Sequence, residues 1–275
     1  MTKYNFHTHS QFDDGKEPLE NYITAAIEKG FDAFGFSAHG PLPLENQWSL
    51  LAKDFPDYVA EIRKLKEQYK EQIRLYLGLE IDYIPGVSED FGAWMKDTPL
   101  DYCIGSVHLV REPMSGKFWF IDGPAEGYFK GVDEVFGGDI RKAVTAFYEQ
   151  SIEMVNTQPV NIIGHIDKVK MHNKERLFGQ AEPWYIDVVD RLLRAIKENN
   201  VIVELNTRGV YTGKTKEYFP SPFVLERCLH YGIAVMINTD AHHPSQIESH
   251  FGEGMALLKD IGFKKMVTPF FEVEI

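Results

Sequence analysis

Cysteine is nearly absent from the chain: 275 residues hold two, Cys103 and Cys228, far apart and without CxxC spacing. That scarcity excludes a disulfide framework and a thiolate metal site, and it fits a reducing cytoplasm. Surplus positive charge is missing too. A formal charge of −12 argues against a duplex nucleic-acid binder, which presents a basic face. A phosphorylated small molecule remains a feasible ligand wherever bound metal reverses the local charge. No apolar run approaches the roughly 18 residues of a membrane span. The opening "MTKYNFHTHS" lacks the basic start and apolar stretch of a secretory signal. The expectation is a cytoplasmic protein whose partners include neither nucleic acid nor membrane. Repeats, low-complexity tracts and flexible linkers are lacking as well.

What is present is alternation. Apolar strand-like runs at 3–7, 32–38, 75–82, 101–107, 160–164, 201–205 and 233–238 are separated mostly by amphipathic helical stretches. Several runs are apolar on both faces, as parallel strands covered by helices require. Leu19, Tyr22, Ile23, Ala26 and Ile27 repeat at helical spacing before Gly30, a C-terminal cap. Val59, Ile62, Leu65 and Tyr69 stripe one side of a charged helix at 57–72, and Val189, Leu192, Leu193 and Ile196 stripe another. Ser221-Pro222 starts a helix, and Ser245 with Glu248 reads as a capping box opening the last one. Seven β units with helices between them predict an α/β fold, most simply a (β/α)7 barrel in one domain spanning 1–275. A doubly wound open sheet is the rival, but it wants a Gly-rich phosphate loop after the first strand, and "HTHSQFDDGKEP" is not one. Residues 109–158, rich in glycine and aromatics at first and helical near 139–155, read as an insertion after the fourth strand that folds over one end of the barrel.

Histidine is where the pattern becomes chemical. Of ten, six fall at or just past strand ends: His7, His9, His39, His108, His165 and His242. Glu80 lies near the end of the third strand, Asp240 follows the seventh, and Asp13 and Asp14 occupy the first loop. His7 and His9, two apart, share one face if the first strand continues into them. In a parallel barrel all C-terminal strand ends meet on one face. Any one of these residues alone reads as a satisfied core histidine or a strand-edge charge. Repeated at nearly every strand end, that explanation is less economical than one shared cause, because buried charges need partners. Metal ions satisfy them together. Imidazole and carboxylate without thiolate suit zinc, manganese or iron, and the ligands outnumber the needs of one four-coordinate ion. Glu80 can bridge two ions, and paired metals activate water for hydrolysis. His172, His230, His243 and His250 sit in helices or loops and read as ordinary surface or packing histidines.

The stretches "FHTHS", "FSAHG", "GLEIDY", "GSVHLV", "NIIGHIDKVK", "VELNTRG" and "INTDAHHP" resemble, in order, the motifs of the PHP (polymerase and histidinol phosphatase) family. Length, the "HLV" after His108 and the insertion most resemble its monofunctional histidinol-phosphatases. The resemblance implies a distorted TIM-like (β/α)7 barrel with two to three divalent ions at its C-terminal face. Carried over, His7, His9, Glu80 and Asp240 hold a first metal. Glu80 bridges to a second, bound by His108 and His165. His39, His242 and an acid of the first loop hold a third. Many members have histidine at that last position; here "QFDDG" offers Asp14, with Asp13 as fallback.

The implied reaction is hydrolysis of a phosphate monoester, L-histidinol phosphate to L-histidinol and phosphate in histidine biosynthesis, by a metal-bridging hydroxide attacking phosphorus. Arg208 in "NTRG" suits the phosphoryl oxygens, since a guanidinium matches phosphate bidentately. Lys168 and Arg176 in the fifth loop are further candidates, and Asp240 with His242 would protonate the leaving group. Glu112 and the aromatics Phe118, Trp119 and Phe120 of the insertion are candidates for the substrate's ammonium and imidazole, against the simpler role of packing the insertion. The alternatives are a PHP phosphoesterase of nucleotides or nucleoside bisphosphates, a non-catalytic or proofreading PHP module, and an amide hydrolase on the same barrel.

Overall fold

The computed structural model describes residues 2–88, 90–96 and 98–275. Seven parallel strands follow one another around it: β1 (Tyr4–Asn5), β2 (Ala33–His39), β3 (Arg74–Asp82), β4 (Tyr102–Ser106), β7 (Ile162–Ile163), β8 (Ile202–Asn206) and β9 (Val235–Asn238). Between β4 and β7 lie a hairpin, β5 (Leu109–Arg111) and β6 (Phe118–Phe120), and two helices, α4 (Ala125–Phe136) and α5 (Ile140–Thr157). The other helices are α1 (Leu19–Glu28), α2 (Phe55–Tyr69), α3 (Gly92–Lys96), α6 (Pro183–Glu198), α7 (Arg208–Tyr211), α8 (Pro222–Tyr231) and α9 (Phe251–Ile261). A C-terminal hairpin joins β10 (Lys265–Val267) to β11 (Glu272–Glu274). The architecture is a distorted TIM-like barrel of seven strands.

The distortion has a visible cause at the seam. β1 is short, and no ladder joins it to β9. Instead side chains supply the missing bonds: Asn238 Oδ1 accepts from the Phe6 amide (2.9 Å) and Asn5 Oδ1 from the Thr239 amide (2.9 Å). The Tyr4 hydroxyl accepts from the Ile237 amide at 3.2 Å. Backbone pairing resumes only at the mouth, where the His9 amide donates to the Ala241 carbonyl (2.9 Å) and the Ala241 amide to the His7 carbonyl (3.1 Å). Buried amides must be paired, and these side chains close the barrel where its strands diverge.

Inside, Tyr102 fills the bore. Its hydroxyl donates to the Phe6 carbonyl at 2.6 Å, and a Cβ placed on Gly78 or Gly35 would come within 2.4 or 2.5 Å of it. Both glycines therefore serve close approach. The helices pack their apolar stripes outside, as the buried Tyr22, Ile23 and Ala26 of α1 and Leu192, Leu193 and Ile196 of α6 show. α5 lies against β4, β5 and α6. Cys103 and Cys228 are free and buried. No helix of the described residues is long and apolar enough to cross a membrane.

One expectation about helix ends fails. Ser245 and Glu248 do not cap α9, which begins six residues after Ser245, behind His250. Glu248 instead pairs with Lys3 and Lys29, tying the first strand's approach to the loop after β9. Two cations within reach offer a carboxylate more than one helix amide does.

Candidate metal centre

Register decides which side chains meet. β2 and β3 pair from Ala33 with Arg74 up to His39 with Glu80, so the imidazole and the carboxylate emerge side by side at the strand ends. His7 and His9 follow β1, His108 follows β4, His165 follows β7, and Asp240 and His242 follow β9. Asp240 takes a left-handed φ of 51°. Among non-glycine residues aspartate tolerates that conformation comparatively well, and here it turns the carboxylate toward His9.

Glu80 is the hub. Its Oε2 lies 3.2 Å from His7 Nε2, 3.5 Å from His9 Nε2 and 3.0 Å from His39 Nδ1. Its Oε1 faces His165 Nε2 at 3.1 Å and His108 Nε2 at 3.9 Å, with Ser106 donating at 2.6 Å. Asp240 Oδ1 is 3.3 Å from His9 Nε2 and 3.8 Å from His7 Nε2. Asp14 Oδ1 is 2.9 Å from His242 Nε2 and 4.0 Å from His39 Nε2. His108 Nε2 and His165 Nε2 face each other at 3.1 Å.

The fit of this cluster to divalent cations can be judged from its bonding. His7 Nε2, His9 Nε2, His39 Nδ1, Glu80 Oε2 and Asp14 Oδ1 are all buried and lack a hydrogen-bond partner of good geometry, yet all turn toward the same space. Unpaired buried polar atoms are costly and therefore rare, so their gathering at one point favours a common cation. Three overlapping groups can each hold an ion: His7, His9 and Asp240; His39, Glu80 and His108; and His9, Asp14, His39 and His242. Charge tells the same story. Burial opposes protonation of His7, but Glu204, Glu80 and Asp240 outweigh it and raise its pKa. Burial likewise opposes charge on His9, and Asp13 and Asp240 overcome it, to about 10. For His39, His165 and His242 burial wins and the imidazoles are held neutral, lone pairs available.

An outer ring of carboxylates aims the imidazoles; the sequence reading singled out neither Glu204 nor Asp82 and had Asp13 as the fallback ligand. Glu204 Oε1 accepts from His7 Nδ1 at 2.6 Å, Asp82 Oδ1 from His108 Nδ1 at 2.8 Å, and Asp13 Oδ2 from His9 Nδ1 at 2.6 Å. Each holds the proton on Nδ1, so that Nε2 is the nitrogen that would ligate once its own proton is released. Asp13 also accepts from the amides of Ser10 and His39, so its oxygens are spent on orientation while Asp14 reaches the cluster. Glu204 did leave a signal: it is the one charged residue of β8, and a charge in a strand buried throughout must have a partner.

The chain matches the family model described as PHP domain over residues 5–208. It belongs to the PHP family. Histidinol-phosphatase of Bacillus subtilis is 27% identical over 267 residues, covering 90% of this chain and 96% of that one. The candidate histidinol phosphatase HisK of Listeria monocytogenes superposes with a TM-score of 0.78 at 20% identity, over 91% of this chain and 99% of that chain. The histidinol phosphate phosphatase of Lactococcus lactis, solved with zinc, L-histidinol and phosphate, gives 0.70 at 20% identity, over 99% of each.

The remaining candidates of this PHP chain divide by position. Arg208 opens α7 beside the cluster, its Nη1 donating to the Asp240 carbonyl at 3.0 Å. Lys168 is buried, 2.8 Å from Asp122 Oδ2; burial disfavours its charge, but Asp122, Asp240 and Glu80 keep it cationic. Glu112 and Arg176 are not brought in. Glu112 turns back on its own hairpin to accept from the Ser115 amide and lines a groove with Arg111 and Phe136, while the Arg176 side chain is exposed. Trp119 is buried in the insertion, donating to the Tyr128 carbonyl, and Phe118 is half-exposed. Phe120 stacks on Trp48 with ring centroids 5.2 Å apart. His172 Nε2 donates to the Gly123 carbonyl at 2.8 Å, apart from the cluster.

Proposed function

We propose that the chain is a metal-dependent phosphomonoesterase whose substrate is L-histidinol phosphate. The observation that carries the reading is the Glu80 hub, which presents one oxygen to His7, His9 and His39 and the other to His165 and His108. In this reading His7, His9, Glu80 and Asp240 would hold one ion, Glu80, His108 and His165 a second, and Asp14, His39 and His242 a third. Zinc, manganese or iron would fit the oxygen and imidazole donors. Bound ions of this kind supply an activated water and neutralise charge on phosphoryl oxygens. The relatives named histidinol-phosphatase, and the Lactococcus structure with zinc, L-histidinol and phosphate, support the substrate. We also read residues 1–275 as one domain, with 109–158 its insertion.

The chain's own residues have definable parts in this chemistry. Arg208 and Lys168 place a guanidinium and an ammonium beside Asp240, at one cleft where phosphoryl oxygens would lie. Fixed cations in a site shielded from water stabilise charge that develops in the transition state. Asp240, an ionised carboxylate with His242 Nδ1 3.4 Å from its Oδ1, would take the proton given up by the attacking water and pass it to the leaving alkoxide. Glu204, Asp82 and Asp13 keep the imidazoles in register throughout.

The test is phosphate release by the zinc- or manganese-loaded protein from L-histidinol phosphate, a 5′-nucleotide, a nucleoside bisphosphate and p-nitrophenyl phosphate. A preference of about ten-thousandfold or more for histidinol phosphate is expected, the range given by a site built to pair a substrate's polar groups. A flat profile or a nucleotide preference would retain the metal centre and discard the substrate. Amide hydrolysis without phosphate release would discard the reaction.

A further inference from the structure

We propose that Asp122 is the residue that recognises the leaving alcohol, by accepting an ammonium group carried next to the ester carbon; the proposal rests on the phosphomonoesterase reading above. Asp122 lies just past β6, on the segment that crosses the mouth of the barrel. That segment is pinned on both sides. The Ile121 amide donates to the His108 carbonyl at 3.0 Å, and Phe120 stacks on Trp48, whose neighbour Leu50 donates its amide to the His39 carbonyl at 3.0 Å. The rings of His39 and His108 are themselves 5.4 Å apart. The segment is therefore held directly above the metal cluster, and the Asp122 carboxylate is fixed at its rim.

Charge in the cleft is unbalanced in one direction. Lys168, Lys214 and Arg208 line it together with Asp122 and Asp240. Asp240 is shared with His7 and His9, and among the described residues Asp122 is the carboxylate in ion-pair contact with both Lys168, at 2.8 Å, and Lys214, at 3.4 Å. The surplus is cationic, and an anion belongs there. Yet the cleft measures about 10 Å³, room for about one water molecule. With so little room, a phosphoryl group that pairs with Lys168 would take the place of the Asp122 carboxylate on it. Once displaced, Asp122 is still pinned by its neighbours and remains half-buried, with one of its two cations given up to the phosphate. A carboxylate so placed wants a new cation, and it lies one ion-pair length from the phosphoryl oxygens on Lys168. An ammonium beside the ester carbon meets it there. The exchange of partners makes the amine part of recognition, because an uncharged alcohol would leave Asp122 short of a partner.

The test compares two esters, L-histidinol phosphate and its deamino analogue, by kcat/KM, in the metal-loaded protein and in Asp122→Asn and Asp122→Glu. The wild-type protein should favour the amine ester. Asp122→Asn should reduce the ratio of the two kcat/KM values by about 10- to 100-fold, and Asp122→Glu should regain part of it. Titration calorimetry with L-histidinol should show its Kd raised at least about tenfold in Asp122→Asn. Equal losses on both esters would overturn the proposal and leave Asp122 as a positioning residue for Lys168. So would an unchanged ratio, an unchanged L-histidinol Kd, or a wild-type protein indifferent to the amine while still releasing phosphate. A wild-type protein that releases phosphate from neither ester would overturn the phosphomonoesterase reading and this proposal with it.

Discussion

Glu204 touches no proposed substrate, yet replacing it by glutamine should weaken metal binding measurably. Its carboxylate is fully buried and accepts four hydrogen bonds. Oε1 takes His7 Nδ1 at 2.6 Å and Asn238 Nδ2 at 3.0 Å; Oε2 takes the His165 amide at 3.1 Å and Asn206 Nδ2 at 3.0 Å. All four partners are donors. Glutamine has the same shape but must point its own NH2 at two of them, whichever way it is turned. If the amide nitrogen faces His7, the ring is driven to the tautomer that protonates Nε2, the atom turned toward Glu80 and Asp240. If it faces His165, the loop carrying a second imidazole is displaced. Loss of such an orienting partner costs about 10- to 100-fold in metal affinity, or about 1.4–2.8 kcal/mol. Competition against a chromogenic zinc chelator reads this directly. Circular dichroism would show that the barrel stays folded. Affinity within about twofold of wild type would refute the claim that Glu204 sets the His7 tautomer, since even the lower bound is about tenfold.

Further expectations follow from the same geometry. Glu80→Ala removes both faces of the hub, so metal content and phosphate release should fall together, by about a thousandfold or more in rate, whereas His172→Ala should change neither; turnover by Glu80→Ala at the wild-type rate would refute the bridging role. Because carboxylates hold His7 and His9 protonated above neutrality while burial keeps His165 and His242 neutral, zinc binding at pH 8 should release about two protons and its apparent affinity should climb with pH. Calorimetry in buffers of different ionisation enthalpy measures that number, and zero release would contradict the assigned charges. Gly78→Ala drives a Cβ into the Tyr102 ring, with its nearest atom at 2.4 Å, and should cost about 1–3 kcal/mol, seen as a lowered Tm of the metal-free protein.

Much of the site was legible because barrel topology converts order along the chain into place in space. Once "DAFGFSA" and "LYLGLEID" are read as parallel strands, His39 and Glu80 must emerge on one face, and the observed register sets them side by side. What stayed hidden depended on side-chain direction within loops. Asp13 and Asp14 are adjacent and chemically alike; only the turn at 11–14 sends one to His9 Nδ1 and two backbone amides and the other to His242. Asp122 was missed because its partners, Lys168 and Lys214, come from two other loops. Asn5 and Asn238, read simply as strand residues, supply the bonds of an interrupted ladder. Glu112 looked suitable four residues past His108, but the tight hairpin gives its carboxylate the nearer Ser115 amide. Sequence distance is a poor guide inside a turn.

The most direct test of the metal centre as the engine of phosphate release is a titration. Metal-free protein is loaded with zinc in steps, and bound metal and the rate of phosphate release from L-histidinol phosphate are recorded on the same samples. The account predicts negligible release without metal, a rate that rises with occupancy, and activity that is complete once two to three ions per chain are bound. Undiminished release from the stripped protein, or saturation with zinc without any release, would contradict it.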